Sequence, residues 1–234
     1  MKGIDEIMDQ KIKKWLKERQ ILCEENFGEA LHDLVVAHSK DSGKTLLSIW
    51  KELEITKQNV NYWMYHQRGT TDQLNIKRKV INNARNLFKL SESETRKLAN
   101  KAGLEILRED FSFAVNNDFV VIFSEKLNKW NGNQKMLYEA VGIHKSMFYR
   151  IKSGKNLRKE TLLSIFLVMN LTLDEIRICL EAAGYTLSTS LPIDLLICHL
   201  LQHDLKEFVG IRRLYEINYL LYELEQPFLA GFEK

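Results

Sequence analysis

The 234-residue sequence predicts an all-α fold, and three observations carry that expectation. Apolar residues recur three and four positions apart along most of the chain. Helix-start residues such as Asn133 and helix-stop residues such as Gly103 and Gly184 bracket those stretches. Only two prolines and eleven glycines are present, too little turn chemistry for a many-stranded sandwich or barrel. No alternating strand pattern competes with the helical period. Hydrophobic residues make up 45% and charged residues 28%, which is ordinary globular usage and excludes wholesale disorder.

The elements follow in order. Ile4, Met8, Ile12 and Trp15 mark an amphipathic helix in an N-terminal segment, 1–27. The spacing then predicts helices over 29–38, 46–53, 56–65, 76–88 and 92–101, with a polar insertion from His66 to Asn75. A linker over 106–118 separates these from a second series. That series runs 119–130, ended by Asn131 and Gly132; 134–141, capped by Asn133; and 144–152, after a tight turn at Gly142. Ser153 and Gly154 break the third helix, and two more cover 159–169 and 173–182. In the C-terminal segment, 191–234, Ile193, Leu196, Ile197 and Leu200 mark one helix. Leu214, Ile217, Leu221 and Leu224 mark a last helix stopped by Pro227. Its heptad-like spacing leaves a dimer seam open, but a helix packed on its own domain is the preferred reading.

The two series are copies of each other. Residues 89–103 line up with 170–184: each has Leu, then Ser or Thr, then the Glu of a capping box, and each ends in Ala-Gly. Upstream, 53–58 lines up with 141–146. The chain therefore divides into a first, degenerate unit over 28–105 and a second unit over 119–190, flanked by amphipathic helices.

Chemistry concentrates in the second unit. Leu137, Val141, Ile143, Phe148 and Ile151 fall on the inner sides of two helices joined by the turn at Gly142. Lys145, Ser146, Tyr149 and Arg150 then fall on the outer face of the second of those helices, which His144 opens. A helix with such residues outward fits the major groove, where Lys or Arg reads guanine and small polar groups adapt to several bases. Lys152, Lys155, Arg158 and Lys159 follow it and suit phosphate contacts, which position a protein without specifying sequence. The run 134–155, continuing through 157–163 and 171–175, resembles the Cro- and lambda-repressor-like (XRE-type) helix-turn-helix family over about 60 residues. That resemblance implies two tandem helix-turn-helix units and a cytoplasmic, prokaryotic or phage-like transcription regulator that binds double-stranded DNA. It also implies that Gln134, at the start of the first of the two helices, holds a backbone phosphate.

The first unit is a weaker copy. Thr56 caps its third helix, Val60 and Trp63 face inward, and Lys57, Gln58, Asn61 and Tyr62 face outward, where Gln or Asn can pair with adenine. It departs from the family where Leu46 replaces the glutamine, Glu54 the turn glycine, and His66-Gln67 the glycine-lysine. Its outward face is open to DNA contact or to a dimerisation or partner surface. Two function classes follow: a sequence-specific DNA-binding regulator, and a protein-interaction protein such as an antitoxin, phage-related inhibitor or adaptor. Homodimerisation through the flanking helices is compatible with both.

The charge balance agrees with two basic modules. Net charge is only +3, yet residues 44–90 carry nine Lys/Arg against three Asp/Glu, and residues 143–160 carry six against one. Other chemistry is not expected. Ser42 to Thr45 mimics the end of a phosphate-binding loop, but His38 stands where that loop needs glycine. His199 and His203 share a helix face without a third ligand, and Cys23, Cys179 and Cys198 have no C-x-x-C spacing, so no metal site or disulfide framework is expected. No catalytic cluster and no cofactor loop is visible. The charged N-terminus is not a signal peptide, and the apolar stretch from Leu162 to Met169 is far short of the roughly 20 residues a membrane helix needs, so a soluble, intracellular protein is expected.

Overall fold

The computed structural model describes residues 2–19, 21, 25–56, 58, 59, 63, 71–105, 117–130, 132–155, 157–204, 208–226, 228 and 229. The protein is all-α: among the described residues there are twelve α-helices and no β-strand. The chain divides into two compact units, residues 1–113 with 187–195 and residues 114–186 with 196–234.

The first unit holds α1 (Lys2–Glu18), α2 (Phe27–Ser42), α3 (Leu46–Glu52), α4 (Thr71–Phe88) and α5 (Glu92–Lys101). Local chemistry sets their ends. Asn26 and Glu29 form a capping box at α2, Thr45 caps α3, and Ser91 and Glu94 form a second box at α5. Gly43 ends α2 in the left-handed conformation. Phe27, Leu31 and Val35 of α2, Ile49 and Trp50 of α3, Val80 and Ile81 of α4 and Leu98 of α5 are buried, as are Ile12 and Leu16 of α1. Thr189 belongs to this unit, its hydroxyl donating to Asn100 Oδ1 at 3.3 Å. Of the helix expected over 56–65, Thr56, Gln58, Asn59 and Trp63 are described, and Trp63 is buried as its inward position requires; the rest of that helix and 66–70 of the polar insertion lie outside the described residues. α4, however, starts at Thr71, five residues before the expected start. No glycine or proline interrupts Thr71 to Asn75, so the polar stretch extends the helix.

The second unit holds α6 (Asn117–Lys129), α7 (Gln134–Ala140), α8 (Lys145–Lys152), α9 (Lys159–Val168), α10 (Leu173–Ala182) and α12 (Ile211–Glu223). α11 (Pro192–His199), whose residues up to Leu195 belong to the first unit, passes into a π-helical turn (Leu200–Asp204). The expected linker over 106–118 lies outside the described residues as far as 116, and Asn117 and Asp118 already belong to α6. α9 explains the longest apolar stretch: Thr161 to Met169 are all buried, because α7, α10 and α12 pack around this helix. No helix among the described residues is long and apolar enough to cross a membrane.

Leu214, Ile217, Leu221 and Leu224 of α12 are buried within their own unit, which removes that face from any dimer seam. α12 ends at Glu223 rather than at Pro227. Glu225 takes the left-handed conformation (φ 53°) and Gln226 N–H donates to Leu221 O at 2.7 Å, closing the helix before the proline.

Candidate nucleic-acid interface

The segment from Gln134 to Arg158 is assembled by local rules. Asn133 Oδ1 accepts from Lys135 N–H at 2.8 Å and starts α7. The helix closes when Val141, Gly142 and Ile143 N–H donate to Leu137, Glu139 and Tyr138 carbonyls, each at 3.0 Å. Gly142 sits at φ 67°, a conformation that favours glycine. His144 then caps α8 with its ring: Nδ1 lies 3.3 Å from Ser146 N–H, which donates to it, and 2.8 Å from Ser146 Oγ.

Packing decides which side of α8 faces out. Leu137, Val141, Phe148 and Ile151 have no solvent exposure, and Phe148 meets Phe123 edge-on at 6.5 Å and Tyr138 at 5.9 Å. Ile143, expected inward, is only half-buried because it lies in the turn itself. The opposite face presents Lys145, Ser146, Tyr149 and Arg150, all exposed, with Lys145 Nζ 5.9 Å from the Tyr149 ring centre. Gln134, at the first position of α7, is half-buried.

A cationic border continues from this face. Gly154 (φ 74°) turns the chain, and Lys155 N–H donates back to Arg150 O at 2.8 Å. Lys155 and Arg158 are exposed and Lys152 is half-exposed. None of Lys145, Arg150, Lys152, Lys155 and Arg158 pairs with an acid among the described residues. Lys159 does not join them: it is buried, and its ammonium donates to Thr186 O at 2.6 Å. Its stem lies on the inner side of α9, so the expectation that it faces phosphate is corrected. Sequence reasoning also missed Tyr185, whose hydroxyl donates to Leu157 O at 2.6 Å and so positions the loop carrying Lys155 and Arg158. Its signal was its place directly after the helix-stop Gly184.

The first unit repeats the backbone of this turn. Leu53, Glu54 and Ile55 N–H donate to Ile49, Lys51 and Trp50 carbonyls at 3.0, 3.0 and 3.1 Å, matching the turn at Gly142 bond for bond. Thr56 Oγ1 accepts from Asn59 N–H at 3.2 Å, and Gln58 is exposed; Lys57, Asn61 and Tyr62 lie outside the described residues. Leu46, in place of the glutamine, is exposed. Several of the unit's cations are spent internally. Lys44 Nζ binds both Glu52 oxygens at 2.8 and 2.9 Å, and Lys79 pairs with Glu54. Lys77 is buried, its ammonium 5.5 Å from the Phe27 ring centre. The Lys44 contact holds the Glu52 carboxyl below its usual range.

Other candidates place as follows. The rings of His199 and His203 lie 4.8 Å apart and are tilted by 44°, and among the described residues no group of three or more His, Cys, Asp or Glu could hold a metal ion. Cys179 is buried, and burial pushes its thiol up to about 11; Cys198 is half-buried, and neither forms a disulfide. Cys23 lies outside the described residues. No protein-family model, no curated protein and no solved structure matches the chain.

Proposed function

We propose that the chain is a sequence-specific double-stranded DNA-binding regulator, of the Cro and lambda-repressor-like helix-turn-helix kind, acting in the cytoplasm through α8. One observation carries the reading. The exposed face of α8 combines Lys145, Ser146, Tyr149 and Arg150 with a border of cations, Lys152, Lys155 and Arg158, left without acidic partners among the described residues. An unneutralised cationic border suits the phosphates of a duplex, and a short helix locked from behind by Phe148 and Ile151 suits its major groove. In this reading Arg150 and Lys145 reach guanine edges, Ser146 and Tyr149 adapt to neighbouring bases, and the border fixes register on the backbone. Gln134 and His144 flank the groove-facing residues at the starts of α7 and α8.

The first unit supports the second reading, a protein partner. Its turn and cap repeat those of the second unit, but Lys44, Lys77 and Lys79 are neutralised or buried. That unit adds less phosphate affinity, and its surface is better suited to another protein. Selection of bound duplexes from a random DNA library tests the main reading. An enriched motif whose binding weakens steeply with salt supports it, and no enrichment overturns it.

A further inference from the structure

The first unit contains a groove between α2 and α5. In the second unit, the first and last helices of the repeat, α6 and α10, are tied by an ion pair: Lys126 Nζ lies 2.7 Å from Glu175 Oε1. Glu175 does two jobs, because its other oxygen accepts the Thr172 N–H of the capping box at 2.9 Å. Its counterpart in the duplicated stretch is Glu94. Glu94 Oε2 accepts Ser91 N–H at 2.8 Å and the Ser91 hydroxyl at 2.6 Å, repeating the box. No cation of α2 reaches Glu94 among the described residues. On this side α2 lines the groove with Ala30, Leu34 and Ala37.

The result is a mostly apolar groove of about 350 Å³, floored by Leu34, Leu90 and Leu98. Its rim is charged. Lys101 is occupied by Glu25, its ammonium 2.8 Å from the Glu25 carbonyl oxygen and 3.5 Å from the carboxylate. Asp33, whose carboxylate lies 3.7 Å from His32 Nδ1, and Glu94 stand on the rim beside one exposed cation, Lys97. Burial raises the Glu25 carboxyl above its ordinary range against the pull of Lys101, with the Asp33 carboxyl adding to the rise. This acidic corner would accept a further positive charge.

We infer that this groove docks a cationic amphipathic segment of a partner protein, with an aliphatic side chain on Leu34, Leu90 and Leu98 and a Lys or Arg on Glu94. The partner's cation would do between chains what Lys126 does for Glu175 within one. The chemistry is that of helix-in-groove recognition: apolar anchors give affinity, and one charge sets the register. This inference goes beyond the DNA-binding reading and does not depend on it.

The test is selection of a random-peptide library on the full-length chain. Enriched peptides should carry Lys or Arg three or four residues from an aliphatic residue. A synthetic peptide of the enriched sequence should then bind wild type. Glu94→Gln should weaken it about fivefold, since glutamine keeps the cap but loses the charge. Ala37→Trp, at an exposed position, should fill the groove and remove binding, and circular dichroism melts should confirm that both variants remain folded. Lack of enrichment, enrichment of acidic or uncharged peptides, or equal binding by folded Glu94→Gln and Ala37→Trp variants would overturn the inference. Concentration-dependent self-association that Ala37→Trp abolishes would overturn it in favour of a second copy of the chain.

Discussion

Glu54 and Gly142 occupy the same turn with the same backbone, φ 57° at one and 67° at the other, although only glycine adopts it without strain. Each follows a helix closed by the same three hydrogen bonds. The first unit makes this turn without the residue that adopts it most easily. Gly142→Ala is therefore expected to cost about 1 kcal/mol, the left-handed penalty less the entropy removed from the unfolded chain. Glu54→Gly releases strain but loses the surface pair with Lys79, and should leave stability within about 0.5 kcal/mol of wild type. Urea midpoints of the two variants measure the asymmetry.

Tyr149 and Phe148 are neighbours with opposite tasks. Phe148 is fully buried against Phe123, so Phe148→Ala should cost about 3–5 kcal/mol of stability and lower the melting temperature. Tyr149 is exposed, and Tyr149→Ala should leave the melt nearly unchanged while weakening binding to a selected duplex. Arg150→Ala should cost about 1–3 kcal/mol of affinity and relax preference at one base position. If Arg150→Ala left both affinity and preference unchanged, α8 would not be the reading helix.

The border cations have a different signature. Lys155→Ala and Arg158→Ala should weaken binding to all duplexes alike and each reduce the salt slope by about one. Lys44→Ala, whose ammonium is already held by Glu52, should leave that slope unchanged. Fluorescence anisotropy across a salt series separates the two outcomes.

The pair Lys126–Glu175 ties α6 to α10, and its pH dependence has a defined sign. Lys126 is the main cause holding the Glu175 carboxyl below its ordinary value of 4.5, and Glu175 in turn raises Lys126 above 10.5. The depressed carboxyl contributes stability that is complete above pH 4.5 and lost as pH falls through the folded value. The raised ammonium contributes stability complete below 10.5 and lost as pH rises through its own. With side chains 19% and 35% exposed, solvent screening keeps the pair near or below about 1 kcal/mol. Lys126→Met should lower stability between those limits and flatten the fall below pH 4.5, measured by denaturation at several pH values.

Cys179 should behave as a core residue. Its thiol is raised to about 11 by burial, so at pH 8 it is neither exposed nor ionised. Iodoacetamide should modify it only at the rate of unfolding, and mass spectrometry with and without urea should show that dependence.

Much of the helical architecture was legible in the residues, because it rests on local contacts. Asn133 caps α7, Thr172 and Glu175 box α10, and Gly142 turns the chain through hydrogen bonds a few positions apart. The buried face of α8 followed from its period in the same way. Which cations are free did not follow, because a charge is neutralised by whatever the fold brings beside it. Lys155 and Lys159 lie four positions apart in one basic run, yet one is exposed and the other is buried against Thr186, 27 residues away. Lys44 and Lys79 read as part of a basic block until Glu52 and Glu54 stand beside them. The groove beside Glu94 is a tertiary fact of the same kind. Only packed helices reveal that Glu175 has a lysine from 49 residues upstream and that its counterpart has a hollow. The sequence alone thus determined most of the helices and the outward face of α8. The tertiary structure decided which charges remain for a partner, since side chains from distant segments set that balance.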